Sequence, residues 1–290
     1  VARTIDEGFR EFHGALLPTH GGSQAAKSYG SAIKTCLEDN FEITRFFRTG
    51  SFGNGTSIRD YSDVDYFACI PRENLEQNSF TTLQEVRKAL IERFQDVKIS
   101  IRPPAVKVCF GTDASASIEI VPADFIERDK NGNHIYKIAN SDGGWGRSSP
   151  DAHNNYVDEV DRKLGGEVKR LVRLLKAWKY YHKVPICSFY LEIYITKYAS
   201  QKASIVYSKD VKNIFSLLLH NQLAALRDPE SIAGPISPCS SEAQRSDALL
   251  RLKTALERAQ KAQESEAADN IKEAFKYWNL VFAKKFPEYG

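Results

Sequence analysis

Apolar residues recur at helical spacing near the start of the chain: Ala25, Ala26, Tyr29, Ile33, Cys36 and Leu37 share a face and predict a first helix over residues 23–39. Phe41–Arg48 reads as a short strand, followed by the turn Gly50-Ser51-Phe52-Gly53-Asn54-Gly55. Asp63–Ile70 alternates and stops at Pro71, the pattern of a strand. Leu83, Val86, Leu90, Ile91 and Phe94 line one face of a helix over Phe80–Phe94. Ala105–Phe110 and Ser117–Val121 read as two strands around a turn at Gly111-Thr112-Asp113, and the Gly-, Asn-, Ser- and Asp-rich segment Lys130–Asp151 reads as loop. Beyond it the period is helical. A long helix lies within Tyr156–Lys183, interrupted or begun at Gly165-Gly166. Further helices follow over Ser188–Ser200, Ser208–Leu226, Glu242–Ser265 and Ala268–Lys285, with the proline-bearing loop Asp228–Ser241 among them. The layout predicts an α+β chain, a mixed sheet-and-helix part over 1–152 and an all-helical part over 153–290.

Composition narrows the class without naming a function. With 42% hydrophobic and 27% charged residues, the 290-residue chain is an ordinary globular one, long enough for one large domain or two. The net charge of +3, from 40 basic and 37 acidic residues, is too small to argue for a nucleic-acid or membrane partner. Cys36, Cys69, Cys109, Cys187 and Cys239 form no C-x-x-C pair, and the histidines are scattered, so neither a zinc site nor a disulfide framework is indicated. No apolar run is long enough to span a membrane, and the N-terminus has no basic stretch leading into an apolar segment. A cytoplasmic location is the expectation.

The candidate chemistry lies between Arg48 and Pro71. Asp63 and Asp65 stand two apart on a strand, so their carboxylates point to the same face. Paired carboxylates repel each other unless a cation joins them, and hard oxygen ligands suit magnesium. Val64, Tyr66, Ala68 and Ile70 take the opposite face and can pack inward. Upstream, Gly50-Ser51 follows a strand and is expected to open a helix. Exposed amides there can grip phosphate, glycine permits close approach, and the Ser51 hydroxyl can donate. A third acid, Glu119, sits between Ile118 and Ile120 on a later strand, where two-metal chemistry needs a ligand for the metal that activates the attacking hydroxyl. Asp124, just past Pro122, is the rival, placed lower because the strand should be ending there.

Gly-Ser, a short helix, Asp-x-Asp on a strand and then an acid on a later strand are the signature of the polymerase-β-like nucleotidyltransferases. Within them the chain resembles the bacterial relatives of cyclic GMP-AMP synthase and oligoadenylate synthase, the cyclic-oligonucleotide synthases of anti-phage defence (the CD-NTase, or SMODS, family). The resemblance rests on Gly50–Asp65, on Ile118-Glu-Ile-Val-Pro-Ala123, on Arg170-Leu-Val-Arg-Leu-Leu-Lys-Ala-Trp-Lys179, on Cys187-Ser-Phe-Tyr-Leu-Glu192 and on Trp278–Gly290. It touches the chain from about residue 20 to 290.

The resemblance implies a polymerase-β-like catalytic core followed by a helical bundle of the oligoadenylate synthase type. It implies two Mg2+ ions, with Mn2+ able to substitute, held by Asp63, Asp65 and Glu119. Nucleoside triphosphates, ATP and a second one, would join into a cyclic di- or trinucleotide with loss of pyrophosphate. Gly50 and Ser51 would cradle phosphate, Lys176 and Ser188 would contact the triphosphate, and Phe189 or Tyr190 would stack on a base or else pack as helix core. Arg59 stays open between phosphate ligand and surface charge. A monomer is expected, with no obligatory nucleic-acid activator, and the terminal Gly290 is a candidate for conjugation by an accessory enzyme. The rivals are transfer to another acceptor (an RNA end, a small molecule or a protein) and an inactive nucleotide- or RNA-binding sensor.

Overall fold

A central sheet runs in the order β1-β2-β5-β4-β3, and β6 and β7 extend it from β5. The computed structural model describes residues 2–18, 20–61, 63–110 and 116–290, with the side chains of 20–27 and 116 left aside. The expected turn at Gly111-Thr112-Asp113 lies outside the described residues, as do Ser62 and the side chains of Ala25 and Ala26. The chain divides into two compact units. A sheet unit comprises Pro18–Tyr156 with Glu230–Gly234, and a helical unit comprises Val1–Leu17, Val157–Pro229 and Pro235–Gly290.

In the sheet unit, β1 (Arg45–Thr49), β2 (Val64–Cys69), β3 (Lys98–Arg102), β4 (Ala105–Phe110) and β5 (Ala116–Arg128) make the body of the sheet. β2 and β5 pair parallel; β1–β2, β3–β4 and β4–β5 pair antiparallel. Period-two alternation gives the sheet two faces of different character. One carries Val64, Tyr66, Ala68, Val106, Val108, Ile118 and Ile120, packed with Ile33 and Leu37 of α2 (His20–Phe41) and Leu83, Val86 and Leu90 of α4 (Ser79–Arg93). The other carries a smaller cluster of Phe67, Cys69, Ala105, Val121, Ala123 and Tyr136. Packing of this kind contributes about 25 cal/mol for each Å² of apolar surface removed from water.

The sheet is larger than its sequence predicts. β5 continues through Pro122 to Arg128, and β6 (His134–Ala139) and β7 (Trp145–Ser148) occupy the stretch expected to be loop. Proline is tolerated because it falls at a handover: β4 pairs with β5 as far as Ile120, and β6 begins at Ala123. Asp129 makes the β5–β6 turn, accepting from the backbone amides of Asn131 and Asn133 at 2.8 Å each.

In the helical unit, α1 (Ile5–Ala15) was not anticipated, although its capping box is written in the sequence. Glu7 N donates to Thr4 Oγ1 at 3.2 Å, and Thr4 N donates back to Glu7 Oε2 at 3.1 Å. Phe9 meets Trp278 edge-on at 4.9 Å between centroids, and Phe12 meets Phe282 at 4.6 Å. Those contacts group the first seventeen residues with the helical unit, where the sequence boundary had placed them with the sheet. α5 (Pro150–Lys163) and α6 (Glu167–Tyr181) are separate helices, parted by Gly165 and Gly166 at φ +66° and +83°. α7 (Ser188–Ala199), α8 (Tyr207–His220), α9 (Glu242–Ala267) and α10 (Ile271–Val281) complete the unit, and Trp178 and Phe215 pack at 4.8 Å within its core. No helix among the described residues is long and apolar enough to cross a membrane.

Candidate active site

The acids predicted from sequence lie within the sheet unit, on the face opposite α2 and α4. Strand register aligns them: Asp65 pairs with Glu119 across β2 and β5, and Glu119 pairs with Lys107 across β5 and β4. Thr49 and Ser100 extend the same row to both sides, so a band of polar side chains crosses the sheet. Two residues along, the same face is apolar, with Phe47, Phe67, Val121 and Ala105. Asp63 precedes β2 and, two before Asp65, projects to the same side.

The turn Gly50–Gly53 abuts this band as the single-turn helix α3. Gly50 takes φ +60°, and a Cβ on it would stand 1.8 Å from Asp65 Oδ2, so only glycine fits. Asn54 N closes the turn onto Gly50 O at 2.9 Å, and Thr56 N onto Ser51 O at 2.8 Å. Gly50 thus stands against the Asp65 carboxylate, and Ser51 follows it in the turn.

Charge within the band is unevenly held. Asp63 accepts from Lys107 Nζ through Oδ2 and from the Ser117 hydroxyl through Oδ1. The Lys107 ammonium also lies 3.6 Å from Glu119 Oε1. Burial works to raise the Asp63 pKa, yet the Lys107 and Ser117 bonds and the ammonium's charge hold it below the ordinary carboxylate value. Burial, then the negative charge of Asp63, push Glu119 above its ordinary value. Burial opposes the charge on Lys107, but its bond to Asp63 raises it nonetheless. Sequence reasoning missed Lys107 and Ser117. The signals available were a lone lysine alternating with valines in Ala105-Val-Lys-Val108, and a serine two before Glu119.

Among the described residues no three acid, histidine or cysteine side chains form a ready-made cation cage. Asp63 is instead engaged by Lys107 and Ser117. The donor set nevertheless fits hard divalent cations: it is all oxygen, carried on the adjacent strands β2 and β5 and just before β2, and it draws an ammonium between two of its members. The rival Asp124 does not belong to it. Asp124 lies on the other face of β5 and binds Arg72 Nε and Nη2 at 3.0 Å each.

The remaining predicted residues belong to the helical unit. Ser188 opens α7, where its hydroxyl accepts from Lys179 Nζ at 2.7 Å and lies 3.1 Å from the Tyr180 hydroxyl. Lys176, one turn earlier on α6, is 1% exposed and pairs with Glu192 of α7. In this arrangement the lysine at Ser188 is Lys179, and the Lys176 ammonium is held by Glu192. Of the two candidate stacking rings, Tyr190 is helix core, its hydroxyl donating to Ala224 O at 2.8 Å, whereas Phe189 is 38% exposed. Trp145, to which sequence gave no role, pins the β7 edge through Nε1 to the carbonyls of Glu76 at 3.3 Å and Gln77 at 3.2 Å.

No family model matches the chain. A probable cyclic nucleotide synthase of Bacillus cereus is 23% identical over 249 residues, covering 82% of this chain and 75% of the relative. Among solved structures, Escherichia coli CdnC with ATP superposes at TM-score 0.73 with 18% identity, over 97% of this chain and 98% of the other. The cyclic AMP-GMP synthase DncV of Vibrio cholerae, solved with the linear intermediate pppA(3′,5′)pG, superposes at TM-score 0.74 with 17% identity, over 95% and 94%. The expected polymerase-β-like fold with a helical C-terminal region is the fold these structures share.

Proposed function

We propose that this chain, a relative of the bacterial cyclic nucleotide synthases and built on their fold, condenses nucleoside triphosphates into a cyclic di- or trinucleotide and releases pyrophosphate. The observation that carries the reading is the register of Asp65 on Glu119 across the parallel strands β2 and β5, beside Gly50, a position that admits no side chain. ATP, with a second triphosphate, is the proposed substrate, and anti-phage signalling is the proposed setting.

Asp63, Asp65 and Glu119 would hold two divalent cations, which when bound neutralise phosphate charge and lower the pKa of an attacking ribose hydroxyl. The protein's own part is positioning and charge placement. The sheet fixes Asp65 and Glu119 on one row, so their oxygens do not have to reorganise as the reaction proceeds. Gly50 brings backbone to the Asp65 carboxylate, and the Ser51 hydroxyl and turn amides can donate to phosphate oxygens beside it. In the helical unit, taken by itself, Ser188 and Lys179 present a hydroxyl and an ammonium suited to phosphate oxygens, Lys176 a buried ammonium held by Glu192, and Phe189 an exposed ring suited to a base. Attack on the α-phosphorus forms the new phosphodiester bond, and pyrophosphate departs. A second transfer within the linear product closes the ring.

The test is to incubate the purified protein with all four ribonucleoside triphosphates and Mg2+, without an acceptor, and to identify the product by mass. A phosphatase-resistant cyclic nucleotide is expected. Product formed only on addition of RNA, a small molecule or a protein would replace this reading with transfer to another acceptor. No turnover under any of these conditions would leave the sensor.

A further inference from the structure

We propose that Lys107 is the resident counter-cation of the acid site, exchanged for a divalent cation when metal and triphosphate bind. The inference rests on the metal reading above and adds a positioning residue to it.

Lys107 is not a surface lysine that happens to find a partner. β4 places it opposite Glu119 in register, its side chain is 14% exposed, and its ammonium joins Asp63 to Glu119. Three carboxylates on adjacent strands repel one another strongly once partly desolvated, and an ammonium in their midst offsets that repulsion. It also holds Asp63 Oδ2, one of the oxygens a metal would need, while Ser117 holds Oδ1. An ammonium and a divalent cation cannot share one carboxylate oxygen at close range without repelling each other. Metal binding therefore requires Lys107 to move. Its flexible four-carbon stem lets the charge transfer to a nearby phosphate oxygen, where it is again neutralised. Metal alone displaces a cation that has nowhere better to go. Metal with triphosphate gives that cation a new partner, so the two ligands bind cooperatively.

The experiment measures Mn2+ binding to the full chain by electron paramagnetic resonance, with and without a non-hydrolysable ATP analogue. Wild type should bind Mn2+ weakly alone and markedly better with the analogue. Lys107→Met should bind Mn2+ alone on the order of tenfold more tightly, because one competing charge is gone. Its gain from the analogue should shrink, and Lys107→Arg should stay near wild type. Lys107→Gln replaces Lys107→Met should the latter not fold. Unchanged or weaker Mn2+ binding in the neutral variants, while Asp63→Asn abolishes binding, would overturn the exchange and leave the metal site standing. Mn2+ binding indifferent to Asp63→Asn as well would overturn the metal reading itself.

Discussion

Gly50 is packed so closely against Asp65 that its missing Cβ would lie 1.8 Å from the carboxylate oxygen Oδ2. Gly50→Ala must therefore both displace Asp65 and force a left-handed backbone on an L-residue. A displacement near 1 Å at reacting groups costs about 100-fold in rate. Steady-state kinetics should show a loss of at least that order in kcat/KM. Because Gly50 lies outside the helix-covered core, the melting temperature should fall far less than activity does.

His13 gives the helical unit an acid sensitivity of its own. Arg173 Nη1 donates to His13 Nε2 at 3.2 Å, which requires a neutral imidazole. Burial, then the positive charges of Arg173 and Arg170, lower its pKa from 6.5 to about 4. The unfolded chain takes up a proton below 6.5 and the folded chain resists until about 4. Stability present above pH 6.5 is thus lost progressively as pH falls to about 4. His13→Gln keeps an acceptor for Arg173 without titrating. Urea midpoints followed from pH 7 to 4 should fall less steeply in that variant than in wild type.

Lys176 and Glu192 form a buried ion pair between α6 and α7. Lys176→Ala leaves the Glu192 carboxylate without its ammonium and should cost about 3–5 kcal/mol of unfolding free energy. Replacing both, as Lys176→Met with Glu192→Leu, should recover most of that loss in denaturant titration. Recovery of fold without recovery of triphosphate affinity would assign Lys176 a binding role as well.

Phe189 and Tyr190 are adjacent but should behave oppositely. Phe189→Ala removes an exposed ring, and loss of base stacking should cost about 1–3 kcal/mol in nucleotide binding. Its unfolding midpoint should barely change. Tyr190→Ala removes a fully buried ring and the bond to Ala224 O, so stability should fall first.

The acid-bearing strands were legible because their chemistry and their periodicity coincide. Asp63 and Asp65 alternate with Val64 and Tyr66, and a strand is the structure that sorts them to opposite faces. Glu119 was legible for the same reason. Lys107 was not, since its meaning depends on which strand lies beside β4, and register is not written in a local pattern. β6 and β7 were obscured by composition: Asn131-Gly132 and Asp142-Gly143-Gly144 announce turns, and the short alternating runs between them were absorbed into one loop. The helix α1 was legible in principle, because Thr4-x-x-Glu7 and the Phe9–Phe12 spacing are both present in the sequence.

The most direct measurement is pyrophosphate release from nucleoside triphosphates and Mg2+ by Asp63→Asn/Asp65→Asn, alongside circular dichroism to establish its fold. The account predicts a folded protein whose turnover drops to background. A folded double variant that still releases pyrophosphate at the wild-type rate would contradict it.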